Sequence, residues 1–232
     1  MNDEIISRLK TGLIVSVQAN EGSPLNRPEI LAALARTVVL PGVVGLRMNA
    51  PENIAAARVA VRLPIIGIHK TYDPQGRVWI TPDFAKARSL AEAGADIIAL
   101  DATERQRPTG ESLGELIANI HSQLGLPVMA DIACYEEGMA AADMGADLVA
   151  TTLAGYTRLP YAESHDPPDL ALVTRLSPVL SVPLIAEGRY NTPALARQAL
   201  EAGAHAVVVG SMITRPDLIA RSFVQALQGS KQ

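Results

Sequence analysis

Two side chains suited to proton transfer stand at matching places in this sequence. Lys70 closes the apolar run PIIGIHK (64–70), and Glu187 comes at the end of PLIAEG (183–188). A lysine placed there can form a Schiff base, bind a phosphate or act as a general base. Partial burial and a neighbouring cation, for which Arg47 is the candidate, lower its pKa toward neutrality. A cation and a carboxylate that arrive from distant segments suit chemistry in which one takes a proton from a carbon and the other returns one on the opposite face. The plainer alternative is a static ion pair, for Lys70 with Asp101 or Asp131.

Other apolar runs end in the same way. Gln18 ends LIVSVQ (13–18), Arg47 lies in VVGLRM (43–48), Asp101 ends DIIALD (96–101), Asp131 lies in PVMADI (127–132), and Thr151 and Thr152 end DLVATT (147–152). Charges directly after buried runs are hard to explain as a solvated face. Gln18 and Arg47 suit sugar oxygens or carboxylate-like atoms, although a satisfied buried amide is the simpler reading of Gln18. Asp131 can orient a hydroxyl or polarise a base, or merely cap a strand end. Asp101 is similar and ranks below it.

These positions need elements to hold them. Eight short runs rich in β-branched residues alternate with Ala/Leu-rich stretches. The runs are 13–18, 43–48, 64–70, 96–101, 127–132, 147–152, 183–188 and 206–211. Most are continuously apolar, which is the pattern of parallel strands buried on both faces. The helical stretches are 28–38, 51–62, 82–94, 112–125, 136–145, 168–177, 193–203 and 216–229, several opening with Pro and closing with Gly. AGAD (93–96), MGAD (144–147) and AGAH (202–205) recur ahead of strands, a rhythm of paired units. The expected fold is α/β: a (β/α)8 TIM barrel of the phosphate-binding type, one domain over 1–232, with function at the C-terminal ends of its strands. An open doubly wound sheet is the alternative.

Phosphate sites in such barrels use the loops after the last two strands. Here those loops are GRYNTP (188–193) and GSMITRP (210–216). Gly188 and Gly210 let backbone N–H groups approach an anion, and Ser211 sits in the second turn. Arg189 or Arg215 can add charge-assisted hydrogen bonds. Tight turns into Pro-started helices are the alternative. His69, His121, His165 and His205 show no metal-ligand spacing, and His69 points away from Lys70 by strand alternation. Cys134, the single cysteine, precedes a helix and is a weak nucleophile candidate. The usual hydrolase and nucleotide motifs G-x-S-x-G, Walker A and G-x-G-x-x-G are absent.

Composition sets outer limits. Apolar residues make up 48% and charged residues 19%, enough for a large core and too apolar for disorder. The formal net charge of -4 argues against a nucleic-acid or anionic-membrane partner, and the 3% aromatic content weakens base stacking. The opening MNDEIISRLK has no apolar signal region, and no run reaches 18 apolar residues. A soluble cytoplasmic protein is expected.

The chain resembles the N-acylglucosamine-6-phosphate (N-acetylmannosamine-6-phosphate) 2-epimerases along nearly its whole length. The resemblance is carried by LIVSVQA (13–19), GLRMN (45–49), LPIIGIHKTY (63–72), ITPDF (80–84), IIALDATERQRPTGE (97–111), MADI (129–132), TTLAGYT (151–157), AEGRYNTP (186–193) and VVGSMITRP (208–216). It implies a phosphate-binding (β/α)8 barrel, no cofactor and no metal, and a homodimer. The implied reaction is epimerisation at C2 of N-acetyl-D-mannosamine 6-phosphate to N-acetyl-D-glucosamine 6-phosphate, in sialic acid and amino-sugar degradation. By the same resemblance Lys70 and Glu187 are the proton-transfer residues. Gln18, Arg47, Asp131 and Arg215 surround the substrate, and the turns at Gly188–Arg189 and Gly210–Ser211 hold its phosphate. Two positions depart from the family pattern. His69 replaces the usual aliphatic residue before the lysine, and Tyr190 is bulkier than usual inside GR-x-NTP.

Overall fold

The computed structural model describes residues 2–157 and 166–229. In chain order the strands are β1 (Leu13–Val17), β2 (Gly45–Asn49), β3 (Ile65–Ile68), β4 (Lys70–Tyr72), β5 (Val78–Ile80), β6 (Ile97–Asp101), β7 (Val128–Asp131), β8 (Leu148–Ala150), β9 (Leu184–Glu187) and β10 (Ala206–Val209). All except β4 and β5 form one closed parallel barrel in the order β1, β2, β3, β6, β7, β8, β9, β10. The seam joins β1 to β10, with Leu13, Ile14 and Val15 opposite Val207, Val208 and Val209. Closure rules out the open sheet.

The helices are α1 (Asn2–Ser7), α2 (Pro28–Val38), α3 (Pro51–Arg58), α4 (Phe84–Glu92), α5 (Leu113–Leu124), α6 (Tyr135–Asp143), α7 (Leu170–Leu176), α8 (Pro193–Glu201), α9 (Ser211–Thr214) and α10 (Pro216–Gln228). Their ends follow local chemistry. Asp83, Asp169 and Thr192 accept a backbone N–H of the first turn, and Ser112 with Glu115 forms a capping box. Proline opens α2, α3, α8 and α10. Helix α3 ends at Arg58, short of the 51–62 read from the sequence. The Arg58 guanidinium collects the carbonyl oxygens of Val61, Leu63 and Gly94, which turns the chain back toward β3.

Alternation along the strands makes two cores. Ile14, Ile66, Ile68, Ile97, Ala99, Met129, Leu148, Ala150, Ile185, Ala206 and Val208 fill the barrel. The intervening residues, such as Val15, Leu46, Ile98, Ala130 and Val207, pack outward with Leu31, Ile54, Leu90, Ile117 and Leu172 of the helices. Ile6 and Leu9, in and just after α1, join the inner core and stop the N-terminal end of the barrel. His205 helps to hold them there through its Nε2, 3.1 Å from the Ile6 carbonyl. The inward parity continues past the apolar layers to Ser16, Arg47, Lys70, Asp101, Asp131, Thr152 and Glu187, so the C-terminal mouth is polar.

One element is absent from the eight-unit reading. Lys70 does not end β3; it begins β4, which pairs antiparallel with β5 in the register Lys70–Ile80, Thr71–Trp79, Tyr72–Val78. The Asp73 carboxylate accepts the N–H groups of Gln75 and Arg77 and so sets the turn, with Gly76 at φ +77°. Thr81 closes the base of the hairpin, donating to Ala99 O and accepting His69 N–H. Arg105 braces it from β6: it pairs with Asp101, donates to Val78 O and lies 4.4 Å from the centroid of the Trp79 ring.

Candidate active site

A cavity of about 620 Å³ opens at the C-terminal mouth, lined among others by Gln18, Asn49, Lys70, Thr152, Glu187 and Arg215. Beneath it lies a buried ionic floor. Arg47 donates from Nη1 to Asp131 Oδ1 at 3.0 Å and from Nη2 to Oδ2 at 2.6 Å. Its Nη1 also stands 3.1 Å from Glu187 Oε2. Thr152 Oγ donates to Asp131 Oδ1 at 2.6 Å and lies 3.1 Å from Glu187 Oε2. Arg47 and Asp131 are 1% and 0% exposed, whereas Glu187 is 13% exposed and reaches the cavity.

The electrostatics follow from burial and charge count. Burial works against the Arg47 charge, but Asp131 and Glu187 outweigh it, and the guanidinium holds its proton more firmly than an ordinary arginine. Asp131 takes two N–H bonds and a hydroxyl, so this pair is self-neutralising. Burial and the Asp131 charge push the Glu187 carboxyl above its ordinary value, against the pull of Arg47, Thr152 and Lys70. Burial, then Arg47, push Lys70 down to about 8. Among the described residues Lys70 Nζ makes neither an ion pair nor a hydrogen bond, so the static pairing with Asp101 or Asp131 is not present. Asp101 is spent on Thr103 and Arg105, and Asp131 on Arg47. Burial thus pushes both groups toward their neutral forms, an amine and a carboxyl able to serve as base and acid in one cavity.

The far wall is built from the last two turns. Gly188 adopts φ +110° and Arg189 φ +59°. Arg189 directs Nη1 and Nε to the carbonyl oxygens of Ala154 and Pro167 and lies over the Tyr156 ring; among the described residues its Nη2 makes no hydrogen bond. Gly210 begins the short helix α9 close against Ser16, where an added Cβ would meet Ser16 Cβ at 3.1 Å. Arg215 is held by Asp217, at 2.9 and 2.6 Å, and by Asn20 Oδ1 at 2.8 Å.

A family model described as "Putative N-acetylmannosamine-6-phosphate epimerase" matches residues 31–229. A protein of Thermosynechococcus vestitus, named "Putative N-acetylmannosamine-6-phosphate 2-epimerase", is 49% identical over 227 residues, 97% of each chain. The chain belongs to the N-acetylmannosamine-6-phosphate 2-epimerase family. A family member from Caldanaerobacter subterraneus subsp. tengcongensis is 45% identical over 225 residues, 97% of this chain and 94% of its own. The structure of the N-acetylmannosamine-6-phosphate 2-epimerase from Clostridium perfringens superposes with a TM-score of 0.89 at 37% identity, covering 95% of each chain. The thiamine phosphate pyrophosphorylase of Pyrococcus furiosus, at 17% identity and a TM-score of 0.61, shares the fold alone.

The epimerase-family residues read from the sequence fall into two groups. Gln18, Lys70, Glu187, Gly188, Arg189, Gly210, Ser211 and Arg215 line the cavity. Arg47 and Asp131, expected to surround a substrate, are not among the residues that line the cavity: they lie beneath it, where each is the other's counter-ion, and Arg47 also reaches Glu187. Gln18 donates one N–H from Nε2 to Ser16 Oγ at 2.6 Å and lines the cavity. Of the two departures from the family pattern, Tyr190 borders the cavity and His69 does not line it. Tyr190 buries its ring in the outer core, and its hydroxyl makes no hydrogen bond among the described residues. His69 faces α4, with Nδ1 3.5 Å from Ser89 Oγ. His121 pairs with Asp147 and His205 with Ile6, while His165 lies outside the described residues. Asn49 and Ser16 were not singled out in the sequence, and Thr152 was only noted as a strand end. The i+2 parity from Arg47, Ile14 and Ala150 finds all three.

Proposed function

We propose that this chain interconverts N-acetyl-D-mannosamine 6-phosphate and N-acetyl-D-glucosamine 6-phosphate, without a cofactor, by moving a proton off and onto C2. The observation that carries the reading is the facing pair at the mouth: Lys70 lowered to about 8 and Glu187 raised, over a self-neutralising Arg47–Asp131 floor. C2 adjoins the aldehyde of the open-chain sugar, so its proton is acidic once the resulting enolate oxygen is stabilised. Inversion needs one group on each face of C2. Lys70 and Glu187 supply them: the neutral amine takes a proton from one epimer, the carboxylic acid returns one on the other face, and the reverse direction exchanges the roles. Arg47, Asp131 and Thr152 fix the carboxyl of Glu187 and tune its proton. Gln18 offers its carbonyl oxygen to a hydroxyl or amide N–H of the sugar. The phosphate sits in the Gly188–Arg189 and Gly210–Ser211 turns with Arg215, so that binding energy far from C2 orients the reacting carbon.

The same proposal includes a homodimer in the cytoplasm, with no nucleic-acid partner. None of the residues of α10 is buried, and Phe223 and Leu227 are 66% and 87% exposed, a face that a second copy would cover. Among the described residues no helix is long and apolar enough to cross a membrane.

Proton NMR of N-acetylmannosamine 6-phosphate with the protein in D2O, with and without EDTA, tests the reaction. Conversion to the glucosamine epimer with deuterium at C2 and no EDTA effect is the expected result. Conversion without deuterium would place a substrate hydroxyl in the proton path. Binding without conversion would make the chain a phosphosugar sensor, and chelator-sensitive turnover would move it to metal-assisted chemistry.

A further inference from the structure

Removing the C2 proton puts negative charge on the neighbouring carbonyl oxygen, and that oxygen needs a hydrogen-bond donor. Most donors at the mouth are already committed. Arg47 is 1% exposed and turned onto two carboxylates. Gln18 gives one of its two Nε2 N–H bonds to Ser16. Arg215 is engaged by Asp217 and Asn20 on the phosphate side of the cavity. Lys70 must be the neutral base. Asn49 remains. It is the last residue of β2 and shares the inward face with Arg47 two residues earlier. Its Oδ1 accepts the backbone N–H of Lys70 at 2.9 Å. That bond decides which way the amide points, because only the oxygen can accept it. The Nδ2 group makes no hydrogen bond among the described residues, and Asn49 lines the cavity. One amide thus grips the backbone of the base and presents two N–H bonds beside it.

We propose that Asn49 is the oxyanion donor of this site, its Nδ2 holding the C1 oxygen of the sugar as the C2 proton leaves toward Lys70. The inference rests on the epimerase reading and adds to it a residue in contact with the reacting atoms. The arrangement couples two requirements. The atom that stabilises the enolate and the atom that fixes the base belong to the same side chain, so donor and base keep one relative position.

The test is Asn49→Asp. Its carboxylate still accepts the Lys70 N–H, so the hairpin stays anchored, but it has no Nδ2 to donate. Steady-state turnover and C2 deuterium exchange are measured from pH 6 to 10 beside the parent protein. The expected result is a fall in kcat of about 100-fold or more at every pH, with exchange falling in parallel and KM within about threefold. Asn49→Ala, which loses anchor and donor together, falls at least as far. If kcat of Asn49→Asp reaches the parent's maximum at any pH in this range, only the protonation of Lys70 was disturbed and the donor role is wrong. An unchanged kcat with a raised KM also overturns it, since that describes ground-state binding. A parent protein that does not epimerise would instead overturn the reading of the reaction.

Discussion

Replacing Arg47 by Met keeps the volume of the side chain and removes its charge from the floor of the site. The structure sets the size of the effect. The guanidinium makes two bonds to Asp131, at 3.0 and 2.6 Å, and lies 3.1 Å from Glu187; Arg47 and Asp131 are 1% and 0% exposed. Removing one partner of such a pair costs about 3–5 kcal/mol, because the other charge stays buried without compensation. For a chain of this size, Tm falls by about 6–20 °C. The sign with pH is as diagnostic as the size. Glu187 is already raised in the parent, so its contribution to stability is full below the ordinary carboxylate range and is lost as pH rises above it. Without Arg47 the strongest pull that holds Glu187 down is gone, so its rise is larger and Arg47→Met unfolds more easily at pH 8 than at pH 5. Urea unfolding at both pH values measures this. The double variant Arg47→Met/Asp131→Asn removes both charges, and we expect it to recover about 1–2 kcal/mol relative to Arg47→Met. A single variant within about 1 kcal/mol of the parent, or a double variant whose losses simply add, would refute the claim that each ion is the other's counter-charge.

Activity should be bell-shaped in pH, with one limb at about 8 where Lys70 titrates and the other set by Glu187; kcat/KM against pH measures both limbs, and Lys70→Met abolishes turnover. Arg215→Met raises KM about tenfold or more and leaves kcat within a few-fold, because it acts on the phosphate and not on C2; initial rates and phosphate inhibition check this. Gly203→Ala costs about 1–3 kcal/mol by thermal unfolding, since the backbone there has φ +100° and the new Cβ would meet Ser177 Oγ at 2.5 Å. Tyr190→Phe leaves stability unchanged or raises it by up to about 1 kcal/mol, because it deletes a buried hydroxyl with no partner among the described residues.

The barrel was legible because its signal is repetitive. Eight apolar runs with β-branched residues can be buried on both faces in only a few ways, and each carries its polar residue at the same end. Lys70 and Glu187 followed from that rule. What the rule could not supply was parity. Arg47, Asn49 and Lys70 look alike as residues near strand ends. Only the register shows that Arg47 lies one layer deeper, level with Ile66, where it meets Asp131. The hairpin was missed for another reason. TYDPQGRVWI contains a turn signal between two β-prone pairs, but the strand reading of PIIGIHK ran through Lys70 and hid it. The reach of side chains between segments is the least legible feature. Nothing local in IIALDATERQRPTG says that Arg105 will brace Val78 and Trp79, and so steady the hairpin that begins with the lysine.

The seam between β1 and β10 bears on the birth of the molecule. Leu13 finds Val207 across a separation of about 190 residues, and α1 is pinned by a histidine just ahead of β10. At about 5–20 residues per second, a ribosome needs on the order of 10–40 s to deliver that partner. Until then the first strand has an open edge, and the inner core lacks its last wall. The nascent chain must wait as a curved, unclosed sheet, exposed to chaperones and to neighbouring chains. Closure is therefore a late event coupled to release. Truncating the chain before residue 206 should leave not a smaller barrel but a sticky half-circle.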